Sequence, residues 1–136
     1  MVVSPIIRQY IEVTIRICMK CAPKSPKTAF LVTRSVIPSE ADRAAFDHWY
    51  STDHMPKAIR LFGCEKAWRM WSLDDVSVHC AVYQFADSLS AQTRDETARQ
   101  KLIAEYDAAW PGISRTREIL ELVDEFTSDD CRNLKL

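Results

Sequence analysis

Glycine is nearly missing from this chain: its 136 residues include two, Gly63 and Gly112. A phosphate-cradling loop needs glycines where backbone N–H groups approach the ligand, so nucleotide-binding loops of the G-x-G-x-x-G or P-loop kind are excluded. Long apolar runs are missing as well. Arg8, Glu12 and Arg16 interrupt the N-terminal apolar stretch, which therefore reads neither as a secretory signal nor as a membrane span. Neither sign of charge is in excess: a net charge of -1 gives no electrostatic reason to expect nucleic acid or an anionic membrane as a partner. The expectation is one cytoplasmic domain.

Paired cysteine motifs are lacking too. The five cysteines, Cys18, Cys21, Cys64, Cys80 and Cys131, are odd in number and scattered, which argues for reduced thiols. Cys18-Met-Lys-Cys21 stands without a second pair or a histidine pair at zinc spacing, and Ala22, Pro23 and Pro26 follow it where a redox motif would open a helix. No metal and no cofactor is expected.

What the chain does have is concentrated at Phe46-Asp-His-Trp-Tyr-Ser-Thr-Asp-His-Met-Pro56. Ser39 is placed to cap a helix whose first turn carries Glu40 and Asp42. Ala45, Phe46, Trp49 and Tyr50 then recur at helical spacing, and one further turn brings Asp53 and His54 onto the same stripe. Pro56 disfavours helical geometry at Met55, so the helix is predicted to end near His54, with that histidine pointing inward. A histidine so placed either serves chemistry or caps the last carbonyls and packs on Tyr50. His48 lies off the stripe and is expected in solvent.

The remaining elements follow from periodicity. Residues 11–18 alternate as a strand, and residues 21–27 read as a lysine- and proline-rich linker. This 1–27 extension is either an added edge strand or sequence upstream of a start at Met19. The main domain, 28–126, is predicted as a strand (28–37), the helix above, a short helical piece (58–62) stopped by Gly63, strands at 65–72 and 77–86 joined by a Leu73-Asp-Asp-Val76 hairpin, one helix (88–110) ended by Pro111-Gly112, and a last strand (116–126). Residues 127–136 form a polar tail. The order β-α-β-β-α-β is the α+β ferredoxin-like arrangement, a four-stranded antiparallel sheet with both helices on one face. Val78, Cys80 and Val82 on one parity, and Ala81, Tyr83 and Phe85 on the other, ask for burial of both sheet faces. A homodimer packed sheet to sheet is therefore expected. An even hairpin loop would pair Met70 with His79 and Trp68 with Ala81, placing Trp68, Met70, His79 and Tyr83 on one face as a cavity wall. The same four would serve equally as an aromatic core.

The run Tyr50-Ser-Thr-Asp-His54-Met-Pro56, on the first helix of such a domain, resembles the EthD-like proteins of the dimeric α/β-barrel superfamily. The likeness extends through Gly63, Trp68-Arg69 and Ala109-Trp110-Pro111-Gly112. It implies a cleft between sheet and helices faced by His54, with Tyr50 and Pro56 shaping it. That superfamily includes dehydratases, isomerases and cofactor-free monooxygenases. Its haem-handling branches use an axial histidine, for which His54 and His79 have no supporting motif.

Three functions follow. The first is a cofactor-free enzyme acting by dehydration, isomerisation or monooxygenation on an aromatic or polyketide-like molecule. There His54 is general base or acid, Asp53 or His79 orients it or shares its proton, and Trp49, Tyr50, Trp68, Met70 and Tyr83 hold the apolar ligand. The second is a non-catalytic ligand-binding or accessory dimer, and the third a purely structural one.

Overall fold

The computed structural model of the protein describes residues 27–134. The extension's predicted strand at 11–18 and its Cys18-x-x-Cys21 motif lie outside the described residues. In chain order the elements are β1 (Ala29–Val36), α1 (Glu40–Trp49), a π-helical turn (Tyr50–His54), α2 (Met55–Phe62), β2 (Lys66–Trp71), β3 (Val78–Phe85), α3 (Ser88–Gln92), α4 (Glu96–Ala109) and β4 (Ser114–Glu121). The four strands form one antiparallel sheet in the order β2-β3-β1-β4. Phe46, Tyr50, Ala58, Leu102 and Tyr106 of the helical layer are buried together with Leu31, Ala81, Tyr83 and Phe85 of the sheet, so all the helices lie on one face. This is the predicted ferredoxin-like α+β arrangement.

Five details depart from expectation. The first helix does not end at His54. Met55 is helical (φ -65, ψ -45), and its N–H donates to the Tyr50 carbonyl, five residues back. Proline lacks an N–H, and its ring crowds the carbonyl four residues earlier. A single wider turn ahead of Pro56 absorbs that misfit, and α2 runs on to Gly63, whose φ of +68 closes it in the left-handed region. The Ser39 side chain also makes no cap bond, and its carbonyl alone accepts from Asp42 and Arg43 N–H.

The predicted 88–110 helix is two helices. Asp87 accepts from the Ser90 N–H and Asp95 from the Ala98 N–H, so each acid starts its own helix on either side of Thr93–Asp95. The last strand ends at Glu121, short of the predicted 126.

The most consequential departure is the β2–β3 register. Trp71 pairs with His79, Met70 with Cys80, Arg69 with Ala81 and Trp68 with Val82. The loop closed by Ser72 N–H donating to the Val78 carbonyl holds five residues, an odd number. Asp75 accepts from both the N–H and the hydroxyl of Ser77, and the Ser77 carbonyl accepts from Ile37 N–H. Ser77 is thereby drawn out of the ladder and toward the end of β1. One residue of shift exchanges the faces of β2. Trp68 and Met70, 42% and 48% exposed, stand on the face away from the helices. Arg69 and Trp71 face inward, and both donate to the Asp47 carboxylate of α1 at 2.8 Å.

Both sheet faces are apolar, as expected. The open one carries Phe30, Val32, Trp68, Met70, Val82 and Leu120, with Phe30 and Trp68 ring centroids 6.5 Å apart.

Candidate functional site

The helix-side face of β1 and β4 is not fully covered by the described residues. Between it, the π-helical turn and the α3–α4 pair lies an open-mouthed cleft of about 430 Å³, mouth included. Its floor is Leu31, Thr33 and Tyr83 of the sheet with Tyr50 and His54 of the turn. Ala58, Phe62, Leu102 and Ile103 supply apolar wall, and Arg94, Arg99, Arg115 and Arg117 the rest.

The π-helical turn presents Tyr50 and His54 on one side of the chain, ring centroids 4.8 Å apart, and both are buried. His54 also stacks on Trp49, centroids 4.8 Å apart at 24°. Its Nδ1 is buried without a hydrogen-bond partner among the described residues. Burial, then the Arg115 charge, pushes the imidazole pKa down to about 4, against a weaker upward pull from Asp53. It is therefore neutral at physiological pH. Tyr50 shares hydroxyl hydrogen bonds with Tyr83 at 3.0 Å and Thr33 at 3.4 Å, and Thr33 donates on to the Ala81 carbonyl. Burial raises the pKa of both tyrosines, so the hydroxyls stay protonated.

Of the residues expected to form a site, the structure brings His54, Tyr50 and Tyr83 together on the cleft floor, with Trp49 behind His54. It does not bring Asp53 to His54. Asp53 faces solvent and pairs with Lys57 at 2.9 Å, because residues 53 and 57 are one turn apart on the outer side. His79 is 1% exposed and separate from the cleft, with Tyr50 between it and His54: its centroid lies 4.7 Å from Tyr50, 5.0 Å from Trp71 and 5.2 Å from Phe46. Burial first, then the Arg69 charge, lowers its pKa to about 4, with Asp47 opposing. Trp68 and Met70 are on the opposite sheet face, for the register reason given above.

The residues that sequence reasoning missed are the arginines. Arg115-Thr-Arg117 alternates on β4, and the register sets these two opposite Ser35 and Thr33 of β1 on the cleft side. That period-two spacing was the available signal. Arg115 lies 3.6 Å over the Tyr106 ring and donates to Asp107 at 3.2 Å. Arg94 lies 5.3 Å over Phe62, and its Nε is buried without a partner among the described residues. Cys64, Cys80 and Cys131 are free thiols, and burial raises the Cys64 pKa to about 11, which leaves it unreactive. Among the described residues no group of histidine, cysteine and carboxylate side chains is arranged to hold a metal, and no helix is long and apolar enough to cross a membrane.

No protein-family model matches the chain, and comparison with curated proteins finds no match. Solved structures do match. One is an ethyl tert-butyl ether D (EthD) family protein from Bacillus halodurans, with a TM-score of 0.58 and 17% identity over 71% of this chain and 99% of that one. Another is a protein from Nitrosomonas europaea described as a candidate antibiotic biosynthesis monooxygenase, with a TM-score of 0.55 and 17% identity over 74% of this chain and 95% of that one. At such identity the likeness is one of fold, and a fold of this kind hosts many chemistries. The chain has the ferredoxin-like α+β fold that the EthD-family structure also has.

Proposed function

We propose that the protein is a cofactor-independent enzyme that moves a proton on a small aromatic or polyketide-like molecule bound in the cleft, with His54 as the group that accepts it. The observation that carries this reading is a buried, neutral imidazole on the floor of a cleft with an apolar wall, with a ring nitrogen that no group among the described residues satisfies. His79 Nε2 is buried without a partner among the described residues as well, but only His54 lines the cleft, where a ligand can reach the ring. Tyr50, protonated and anchored to Tyr83, is placed to donate to a ligand carbonyl whose oxygen becomes negative as the proton leaves. Abstraction of a proton next to a carbonyl is the first step of a dehydration or an isomerisation. Trp49 and Tyr50 hold the His54 ring against rotation, and Tyr83 anchors the Tyr50 hydroxyl.

The assembly that goes with this reading is a homodimer through the open sheet faces, supported by the apolar surface around Trp68, Met70 and Val82. A non-catalytic ligand-binding dimer is the second reading. It is favoured by one observation: Asp53 turns away, so among the described residues no carboxylate orients His54 or strengthens it as a base.

Deuterium uptake separates the two. Wild type and His54→Ala are incubated in heavy water with a panel of aromatic β-dicarbonyl and β-hydroxycarbonyl compounds, and exchange at the acidic carbon is followed by mass spectrometry. Catalysis predicts accelerated exchange that falls about 100-fold or more in His54→Ala. Exchange that His54→Ala leaves unchanged, or binding without exchange, rejects the catalytic reading in favour of the binder.

A further inference from the structure

We propose that the ligand of this cleft carries a carboxylate on a small apolar body, and that Arg115 and Arg117 bind it beside His54. The proposal rests on the reading of the cleft as a ligand site. Among the described residues four arginines and no carboxylate line the cleft, in a chain whose net charge is -1, so the positive charge is a local concentration and not a by-product of composition.

The arginines are incompletely neutralised by the protein. Arg99 is held by Glu96 at 2.7 Å and Arg115 by Asp107 at 3.2 Å, but these acids are 64% and 65% exposed and sit on the solvent side of their partners. Among the described residues Arg94 and Arg117 have no carboxylate within salt-bridge distance. Arg115 and Arg117 are two residues apart on β4, so they leave the same sheet face about 7 Å apart. The Arg115 side chain is 11% exposed and is fixed by its stacking on Tyr106, which holds its guanidinium at the cleft wall. Partial burial, then the Arg115 charge, holds the Arg117 pKa below its ordinary value. Two cations kept this close, Arg115 with its counter-ion turned to solvent and Arg117 with none among the described residues, are stabilised by an anion placed between them.

A second observation is independent of charge. Arg94 Nε and His54 Nδ1, both in cleft-lining residues, are buried without partners among the described residues, and His54 is 8% exposed. Guanidinium forks match a carboxylate in two-point geometry. The apolar wall of Leu31, Ala58, Phe62, Leu102 and Ile103 is left uncovered by a bare inorganic anion, and it fits an aromatic or aliphatic acid.

The test uses three probes on the full chain: benzoate, its neutral analogue benzamide, and inorganic phosphate. Arginine Nε–Hε and histidine ring signals are followed by NMR. Benzoate is expected to shift the Arg115, Arg117 and His54 signals saturably, with affinity about ten-fold or more above that of benzamide or phosphate. Arg117 is exposed, so Arg117→Gln should keep the melting temperature while weakening benzoate about ten-fold and leaving benzamide unaffected. Benzamide equal to benzoate at His54 overturns the carboxylate and leaves the ligand-site reading intact. Phosphate equal to benzoate overturns the apolar body. Benzoate binding that Arg117→Gln does not weaken, or no binding of any probe, overturns the proposal, while the deuterium-exchange comparison decides the catalytic reading separately.

Discussion

Replacing His54 with phenylalanine should leave the fold at least as stable as wild type while removing the proposed chemistry. The ring contacts survive, since the stack on Trp49 at 4.8 Å, the edge contact with Tyr50 at 4.8 Å and that with Tyr106 at 5.7 Å need only an aromatic ring. No hydrogen bond within the described residues is lost, because Nδ1 has no partner among them. A buried polar atom left unpaired costs about 1–3 kcal/mol, and phenylalanine removes that cost. The larger ring introduces some overpacking, about 1 kcal/mol at a position that borders a cleft and can relax into it. The net expectation at pH 7 is a gain of about 0–2 kcal/mol, or up to about 8 °C in melting temperature. His54→Ala forfeits two close aromatic pairs worth about 0.5–1.5 kcal/mol each, offset in part by the same relief, and should lose about 1–2 kcal/mol. Phe46→Ala is the calibrant. Its ring is fully buried among six aromatic and imidazole rings at centroid distances of 5.2 to 6.2 Å, so its loss should cost about 3–5 kcal/mol. Thermal melting of the three variants side by side is the assay. A His54→Phe protein melting more than about 4 °C below wild type, a deficit of about 1 kcal/mol, would refute the reasoning, because it would mean that His54 makes a structural hydrogen bond.

Acid should destabilise the protein early, since burial holds both His54 and His79 at a pKa of about 4 against an ordinary 6.5. Between those values the unfolded chain binds protons that the folded one refuses. Stability is then complete above pH 6.5 and falls as pH drops toward 4, by about 1.4 kcal/mol per pH unit for each histidine. Melting temperatures across that window should fall steadily, and about half as steeply in His54→Phe; a flat profile counts against both buried neutral imidazoles. At the open sheet face, wild type should sediment at micromolar concentration with twice the mass of its 15.6 kDa chain and Trp68→Glu with the single mass, whereas a monomeric wild type removes the sheet-to-sheet dimer. A chain beginning at Ser25 should fold and dimerise, and its aggregation would make residues 11–18 an integral part of the sheet. Gly63→Ala should cost about 1 kcal/mol by melting, purely from its φ of +68, because a Cβ there meets nothing within 4 Å; a loss of 3 kcal/mol or more would point to a packing clash instead.

The strands were legible because burial on a sheet alternates and each strand's pattern is local. Facing was legible only where the counting was local too. His54 follows Tyr50 by four residues, a spacing that keeps both side chains on one side whether the turn is α or π, so its inward direction survived a wrong prediction of where the helix ends. The hairpin had no such protection. Its parity depends on how many residues the loop holds, and that was decided by Asp75 capturing Ser77 and by Ile37 reaching across from another strand. A contact from β1 cannot be counted along the β2–β3 sequence, and one residue of difference carried Trp68 and Met70 out of the site and Arg69 and Trp71 into the helix-facing layer. The arginine pair was hidden for a related reason. Alternation placed Arg115 and Arg117 on one face of a strand, but only the order β2-β3-β1-β4 makes that strand an edge beside β1 and leaves its inner face open toward His54.

The two proposals meet at that histidine. With the cleft empty, burial and the Arg115 charge both oppose protonation of His54, and an imidazole with a pKa near 4 is a weak base at neutral pH. A carboxylate bound at Arg115 and Arg117 would offset the arginine charge and place a negative one nearby, and both changes favour the imidazolium. The His54 pKa should therefore rise on addition of benzoate and stay near 4 with benzamide, read from its ring signals during a pH titration. On this account basicity is acquired with the ligand: the group that is recognised also prepares the base that attacks the ligand. Benzoate binding at the arginines with no upward movement of the His54 pKa would break that link, leaving an anion site and a buried histidine that are neighbours without being partners.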